Sequence, residues 1–184
     1  MEIITKSQLS TTKTNYERNR NYSALSEARI IKDSHRVTTN DVSIFLSHKH
    51  DQQKELAEAI ALLRKVNVNI YVDWADEGMP KYTSGETAKR LKEKIKSNKK
   101  FILLATEQAI ASTWCNWELG IGDVHKYLKD IALLVIREDH SNWSGSEYLQ
   151  IYPVIGRTYS FSDDYYEVQY PDGKSIDLIT WLNS

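Results

Sequence analysis

Two stretches of this chain are apolar without a break: Phe101-Ile102-Leu103-Leu104-Ala105 and Ile131-Ala132-Leu133-Leu134-Val135-Ile136. A strand with one face in water alternates apolar and polar residues, so an unbroken run is buried on both faces. Such strands belong to a parallel sheet covered by helices above and below. Val42-Ser43-Ile44-Phe45-Leu46 and Asn69-Ile70-Tyr71-Val72 are shorter runs of the same kind. Helical spacing fills the gaps between them. Leu56, Ile60, Leu63 and Val66 repeat along Asp51 to Val66, and Ala88, Leu91 and Ile95 follow a capping box at Thr83-x-x-Glu86. A third helix opens at Trp114 and runs to about Leu128. Right-handed crossovers then give an α/β fold, a doubly wound parallel sheet of about five strands with helices on both faces. Thr158 to Phe161 is the expected fifth strand and Ser175 to Leu182 a closing helix, while Asp139 to Gly156 stays unassigned. Residues 1–40 are polar and weakly patterned. They are expected to form an N-terminal extension, disordered or partly helical over Tyr22 to Ile31, with one domain spanning 41–184.

The totals exclude several classes of function. A net charge of −1 lacks the basic excess of a nucleic-acid surface. No run approaches the roughly 20 apolar residues of a membrane span. The single cysteine, Cys115, forms no internal disulfide, and Met1 to Lys6 lack the apolar stretch of a signal peptide, so a cytoplasmic location is expected. There is no P-loop and no GxGxxG.

Chemistry concentrates where strands end. In open α/β sheets ligands bind outside the carboxyl ends of the strands, where strand order reverses. Trp114-Cys115-Asn116-Trp117-Glu118 follows the 101–105 strand and opens a helix, which puts two indoles and a carboxylate at that edge. With Thr113 as N-cap, Trp117, Ile121, Val124 and Leu128 would face the sheet, and Gly122 would leave open space beside Glu118 on the neighbouring stripe. An acid near a helix N-terminus is also favoured by the dipole alone, by a few tenths of a kcal/mol, and needs no catalytic role. Ser47-His48-Lys49-His50-Asp51 ends the first strand. Its two histidines raise a metal site only weakly, because no third ligand stands at a recognisable spacing. The loop Asp73 to Tyr82 is longer than a usual strand-to-helix connection; Trp74 suits stacking on a flat ring, and Gly78 with Pro80 suits a lid. Cys115 has no Cys–His–Asn spacing around it and is not read as a nucleophile.

Taken together, Ile44-Phe45-Leu46-Ser47-His48, Tyr71-Val72-Asp73-Trp74 and Ser112-x-Trp114-Cys115-x-x-Glu118 resemble the Toll/interleukin-1 receptor (TIR) domain, with the match running from about Asp41 to Ser184. The S-x-W-C-x-x-E motif is similar to that of the family's enzymatic branch, and the arrangement as a whole to stand-alone bacterial TIR proteins of Thoeris-type antiphage defence. The resemblance implies a flavodoxin-like fold. It implies cleavage of NAD+ between nicotinamide and ribose, to give nicotinamide and ADP-ribose or a cyclic isomer. NAD+ is then the substrate, with no metal and no further cofactor. Glu118 takes the position of the family's catalytic glutamate, and Phe45, Ser47, Asp51, Asp73, Trp74 and Trp114 fall where the family binds substrate. The implied partners are other copies of the chain, through TIR–TIR contacts, and a separate effector reached through a nucleotide product. The alternative is a non-enzymatic TIR scaffold that acts by association alone. A phosphoacceptor domain fits poorly, since the first strand leads into Ser47-His48-Lys49 rather than an acidic pair.

Overall fold

The computed structural model describes residues 1–19, 30–32, 42–76, 78, 84–143, 145–158 and 165–184. Along the chain these form β1 (Ile4–Thr5), α1 (Lys6–Asn19), β2 (Ser43–Ser47), α2 (Gln53–Arg64), β3 (Asn69–Tyr71), α3 (Gly85–Ser97) and β4 (Lys100–Ala105). Next come α4 (Glu107–Ile110), α5 (Thr113–His125), β5 (Ile131–Arg137), β6 (Val154–Arg157), β7 (Tyr166–Gln169), β8 (Ser175–Asp177) and α6 (Leu178–Asn183). The main sheet runs β3-β2-β4-β5-β6-β7-β8. It is parallel from β3 to β6, and β7 and β8 add an antiparallel edge. The chain steps outward from β2 to β3 and then returns to β4 on the other side, so the switch point lies between β2 and β4.

β4 and β5 are buried along their whole shared length, as their unbroken apolar runs require. Their side chains alternate between two cores. Ile44, Leu46, Ile102 and Leu104 pack with Leu56, Ile60 and Trp181 on one face. Phe45, Phe101 and Leu103 pack with Leu91, Ile95, Cys115 and Leu119 on the other. Ser47 continues the Phe45 row, so it stands on the α3–α5 face at the carboxyl end of β2.

Residues near the chain start join the same sheet. Ile4 pairs with Ile136 and Thr5 with Arg137, Glu2 bridges to Arg157, and Leu9 of α1 is buried in the first core. α1 lies along α2, with Lys6 Nζ 3.3 Å from Glu55. Of the helix expected over Tyr22 to Ile31, residues 22–29 lie outside the described residues; Ile30 and Ile31 are buried.

Several local expectations are corrected. The cap of α3 is Ser84, whose hydroxyl accepts from the Thr87 backbone while the Thr87 side chain returns the bond, in place of Thr83 and Glu86. The fifth parallel strand is Val154–Arg157, which starts within the stretch left unassigned and ends one residue beyond it, and residues 159–161 of the expected one lie outside the described residues. The closing helix is shorter than expected, because Ser175–Asp177 is strand β8. No helix among the described residues is long and apolar enough to cross a membrane.

Candidate active site

Ser112, not Thr113, caps α5: its hydroxyl accepts from the Cys115 backbone N–H at 3.4 Å. Cys115, Glu118, Leu119 and Gly122 are the buried face of the helix and pack toward the sheet. Val124 is 77% exposed and Leu128 48%, which overturns the stripe expected to face inward. Gly122 also has a different job from the one expected. A Cβ there would lie 3.2 Å from the Phe101 ring, so the glycine lets α5 settle close on β4 and opens no space beside the acid.

Glu118 is carried inward by this packing and is only 2% exposed. The Ser47 hydroxyl donates to its Oε2 at 2.5 Å, and the nearby Trp114 side chain also favours the ionised form. Among the described residues no lysine, arginine or histidine makes an ion pair with it. Burial pushes the Glu118 carboxyl up to about 8, and the charge of nearby Asp73 pushes the same way. The Ser47 bond, His50 and the Trp114 side chain oppose the rise and do not cancel it. A proton sits on this group at neutral pH until something positive arrives.

A cluster of histidines adjoins it. His48 is buried immediately after β2, with Nδ1 3.3 Å from the Leu46 carbonyl oxygen and 3.7 Å from Asp73 Oδ1. Burial holds its imidazole below the usual histidine value. His50, half exposed, has Nε2 2.7 Å from Asp73 Oδ2, and that bond raises its affinity for a proton. The Cys115 thiol donates to the His48 carbonyl oxygen at 3.4 Å and is pushed up to about 11 by burial, so it is a protonated thiol rather than a nucleophilic thiolate. His48, Lys49, His50, Ser112, Trp114 and Cys115 line a cavity of about 220 Å³ at this edge. Trp114 stacks on Trp117, with ring centroids 5.0 Å apart. Two larger cavities, of about 450 and 540 Å³, lie toward β6–β8 around Tyr170 and Pro171; no histidine lines either one.

The residues singled out in the sequence therefore divide. Ser47, Asp73, Trp114 and Glu118 come together from β2, the turn after β3, and α5, and of these four Trp114 alone lines the cavity. Phe45 lies beneath them, stacked between Tyr71 and Phe101 at 5.5 and 5.6 Å, and does not line the cavity. Asp51 is surface-exposed, 3.6 Å from Lys49 Nζ, and does not line it either. Trp74 is the middle residue of the short 3-10 turn Asp73–Ala75, and Pro80 lies outside the described residues. His48, Lys49, His50, Ser112 and Cys115 line the cavity but were not among the expected substrate-binding positions. All five belong to the Ser47–Asp51 and Ser112–Glu118 stretches singled out in the sequence, so adjacency is the signal that finds them.

The root of the long loop is tied to α3. Tyr71 donates its hydroxyl to Asp76 at 2.7 Å, Lys94 lies 3.6 Å from the same carboxylate, and Arg90 donates to the Gly78 carbonyl.

The family model for the TIR-like domain of the Thoeris protein ThsB matches residues 45–142. The chain is 28% identical over 116 residues to a 3′ cyclic ADP-D-ribose synthase, ThsB′, of Bacillus cereus (strain MSX-D12), covering 62% of this chain and 60% of that protein. It is 25% identical over 93 residues to a cyclic ADP-D-ribose synthase, TIR2, of Cytobacillus dafuensis, covering 46% of this chain and 24% of that one. Both names give the activity provisionally. The chain thus spans less than two thirds of the length of either relative.

Proposed function

The chain belongs to the TIR-like domain family of the Thoeris protein ThsB, and from that premise we propose that it cleaves NAD+ at the nicotinamide–ribose bond and closes the ADP-ribose into a cyclic nucleotide. Two relatives carry names of cyclic ADP-ribose synthases, which supports ring closure over simple hydrolysis. The nucleotide would serve as a signal in antiphage defence, read by a separate effector.

One observation carries the reading: a carboxyl group with no cationic partner among the described residues is buried at the switch point of the sheet. Burying an acid without a counter-charge costs several kcal/mol, and the group stays neutral instead. The nicotinamide ring of NAD+ is a cation. Seated in the cavity, it favours the ionised carboxylate, and the Glu118 proton leaves to solvent. The C1′–N bond then breaks with both electrons going to the ring, which departs as neutral nicotinamide and needs no general acid. The positive charge passes to the ribose as an oxocarbenium-like centre, and the fixed carboxylate beside it stabilises that state where water is excluded. Ser47 holds the carboxylate in one orientation through its hydrogen bond. A hydroxyl or ring nitrogen of the same molecule attacks C1′. Where it is a hydroxyl, its proton returns to Glu118, whose raised proton affinity suits the task. The net change is NAD+ to cyclic nucleotide, nicotinamide and one proton.

Chromatography and mass spectrometry of NAD+ incubated with concentrated protein test this. Nicotinamide and a cyclic product are expected, and Glu118→Gln should lower the rate by about 10²–10³-fold, the usual loss when one transition-state charge partner is removed. Turnover that survives in both Glu118→Gln and Glu118→Ala rejects the catalytic role. Absence of turnover by the wild type, together with self-association, favours the scaffold reading. Val124, Tyr127 and Leu128, exposed together at the end of α5 and just beyond, are the observation on its side.

A further inference from the structure

We propose that His48, His50 and Asp73 form a binding site for a divalent transition-metal cation of the zinc, cobalt or nickel type at the rim of the cavity. One donor atom from each residue lies within 4.8 Å of the other two. His50 Nε2 and His48 Nδ1 approach the two oxygens of the same Asp73 carboxylate, at 2.7 and 3.7 Å, and the two rings stand 5.4 Å apart. These are separations that one ion at its usual bond lengths of about 2.0–2.2 Å draws together with small side-chain movements. Two imidazoles and one carboxylate select borderline metals over magnesium or calcium, which prefer all-oxygen shells.

The donors sit on parts of the fold that are held in place. His48 and Asp73 follow the paired strands β2 and β3, His48 immediately after Ser47 and Asp73 two residues beyond Tyr71. The His48 backbone is fixed by the Cys115 thiol, and the Asp73 turn by the hydrogen bond from Asp76 N–H to the Asp73 carbonyl. Spacing along the chain hides this site, because the third donor lies 23 residues beyond His50 and comes from the neighbouring strand.

Metal binding takes the Nδ1 lone pair of His48. Its proton moves from the 3.3 Å contact with the Leu46 carbonyl to Nε2, which has no hydrogen-bond partner. His50 keeps its proton on Nδ1. Three protein donors leave at least one coordination position for water or for a phosphate oxygen. His48 and His50 both line the cavity, so an anionic ligand entering it would meet the ion. The site needs nothing from the assignment of Glu118, and its test uses no NAD+, so either reading can fail without the other.

The test is titration of chelator-stripped full-length protein with Co²⁺ and Zn²⁺, followed by calorimetry and by the visible absorption of Co²⁺. One equivalent should bind, with the intense visible bands of four- or five-coordinate cobalt and a rise in melting temperature on adding Zn²⁺. His50 is half exposed, so His50→Ala should fold; it should weaken binding by at least about 10-fold. Asp73→Asn should do the same. His125→Ala, at an exposed histidine on the far end of α5, should bind as the wild type does. Binding that is equally tight in the wild type, His50→Ala and Asp73→Asn overturns the site, and so does a cobalt spectrum of the fully hydrated octahedral ion.

Discussion

The two ends of the sheet each bury one charged side chain, and they treat it in opposite ways. At the amino end of β4, Lys100 is fully buried, yet its ammonium lies 2.6 Å from Asp130 Oδ1, donates to Ser184 Oγ at 3.1 Å, and stands 4.8 Å from the centre of the Trp181 ring. Burial lowers its pKa, but Asp130 supplies the counter-charge. At the carboxyl edge, Glu118 is as deeply buried and receives a hydrogen bond from the neutral Ser47 hydroxyl, with another acid, Asp73, nearby. A compensated charge completes a structure; an uncompensated one waits for a ligand. The fold thus pins its closing segment, the helix α6, to the sheet at one end and stores an electrostatic mismatch at the other.

The largest effect that would break this contrast is at the compensated end. Lys100→Ala leaves Asp130 and the Ser184 hydroxyl facing a void, and should cost about 3 kcal/mol of stability in urea unfolding. Lys100→Met, which keeps the volume, should cost less. If both variants unfold with the wild type, the pair is ornamental and the comparison loses one of its sides.

Next in size is the pH dependence of stability at the other end. The Glu118 carboxyl titrates near 8 in the folded protein, against an ordinary 4.5. Between those values the unfolded chain has released a proton that the native state retains. Stability contributed by the neutral acid is therefore full below 4.5, declines as pH rises, and is gone above about 8, with a steepest slope of roughly 1.4 kcal/mol per pH unit. Glu118→Gln, neutral throughout, should remove that decline and be as stable as the wild type or more so at alkaline pH. Parallel unfolding curves for the two proteins across the window would show that the carboxyl feels no burial.

Ser47→Ala should have the smallest effect. The Ser47 bond favours the ionised carboxylate, so its loss raises the proton affinity of Glu118 further. Nicotinamide release should fall by about 10-fold at neutral pH, the worth of one hydrogen bond to a charged group, and recover partly at alkaline pH. A pH–rate profile that keeps its wild-type midpoint would remove Ser47 from the site.

The central strands were legible because burial on both faces leaves only apolar residues, and that pattern depends on no distant partner. Glu118 was legible through the short motif that surrounds it. The rest depended on contacts that spacing does not encode. β6 is four residues long, holds a glycine, and is a strand because β5 and β7 flank it. The buried face of α5 is set by packing on β4 and α3, where Cys115 and Leu119 meet Phe101 and Leu91. Gly122 answers to the Phe101 ring, a neighbour from another element. The His48–His50–Asp73 cluster joins two strand ends through the sheet, as no linear interval reveals.

Cys115 is the single cysteine of the chain, lies against the strand-end backbone, and shares the cavity wall with Trp114. A reagent that alkylates sulfur must reach a side chain only 1% exposed in the seam between α5 and the end of β2, and must then find the small ionised fraction of a thiol pushed up to about 11. The rate of its modification therefore counts how often that seam gapes. A dinucleotide lodged in the cavity would slow the clock, giving an occupancy gauge that needs no added label and works even when chemistry is silent.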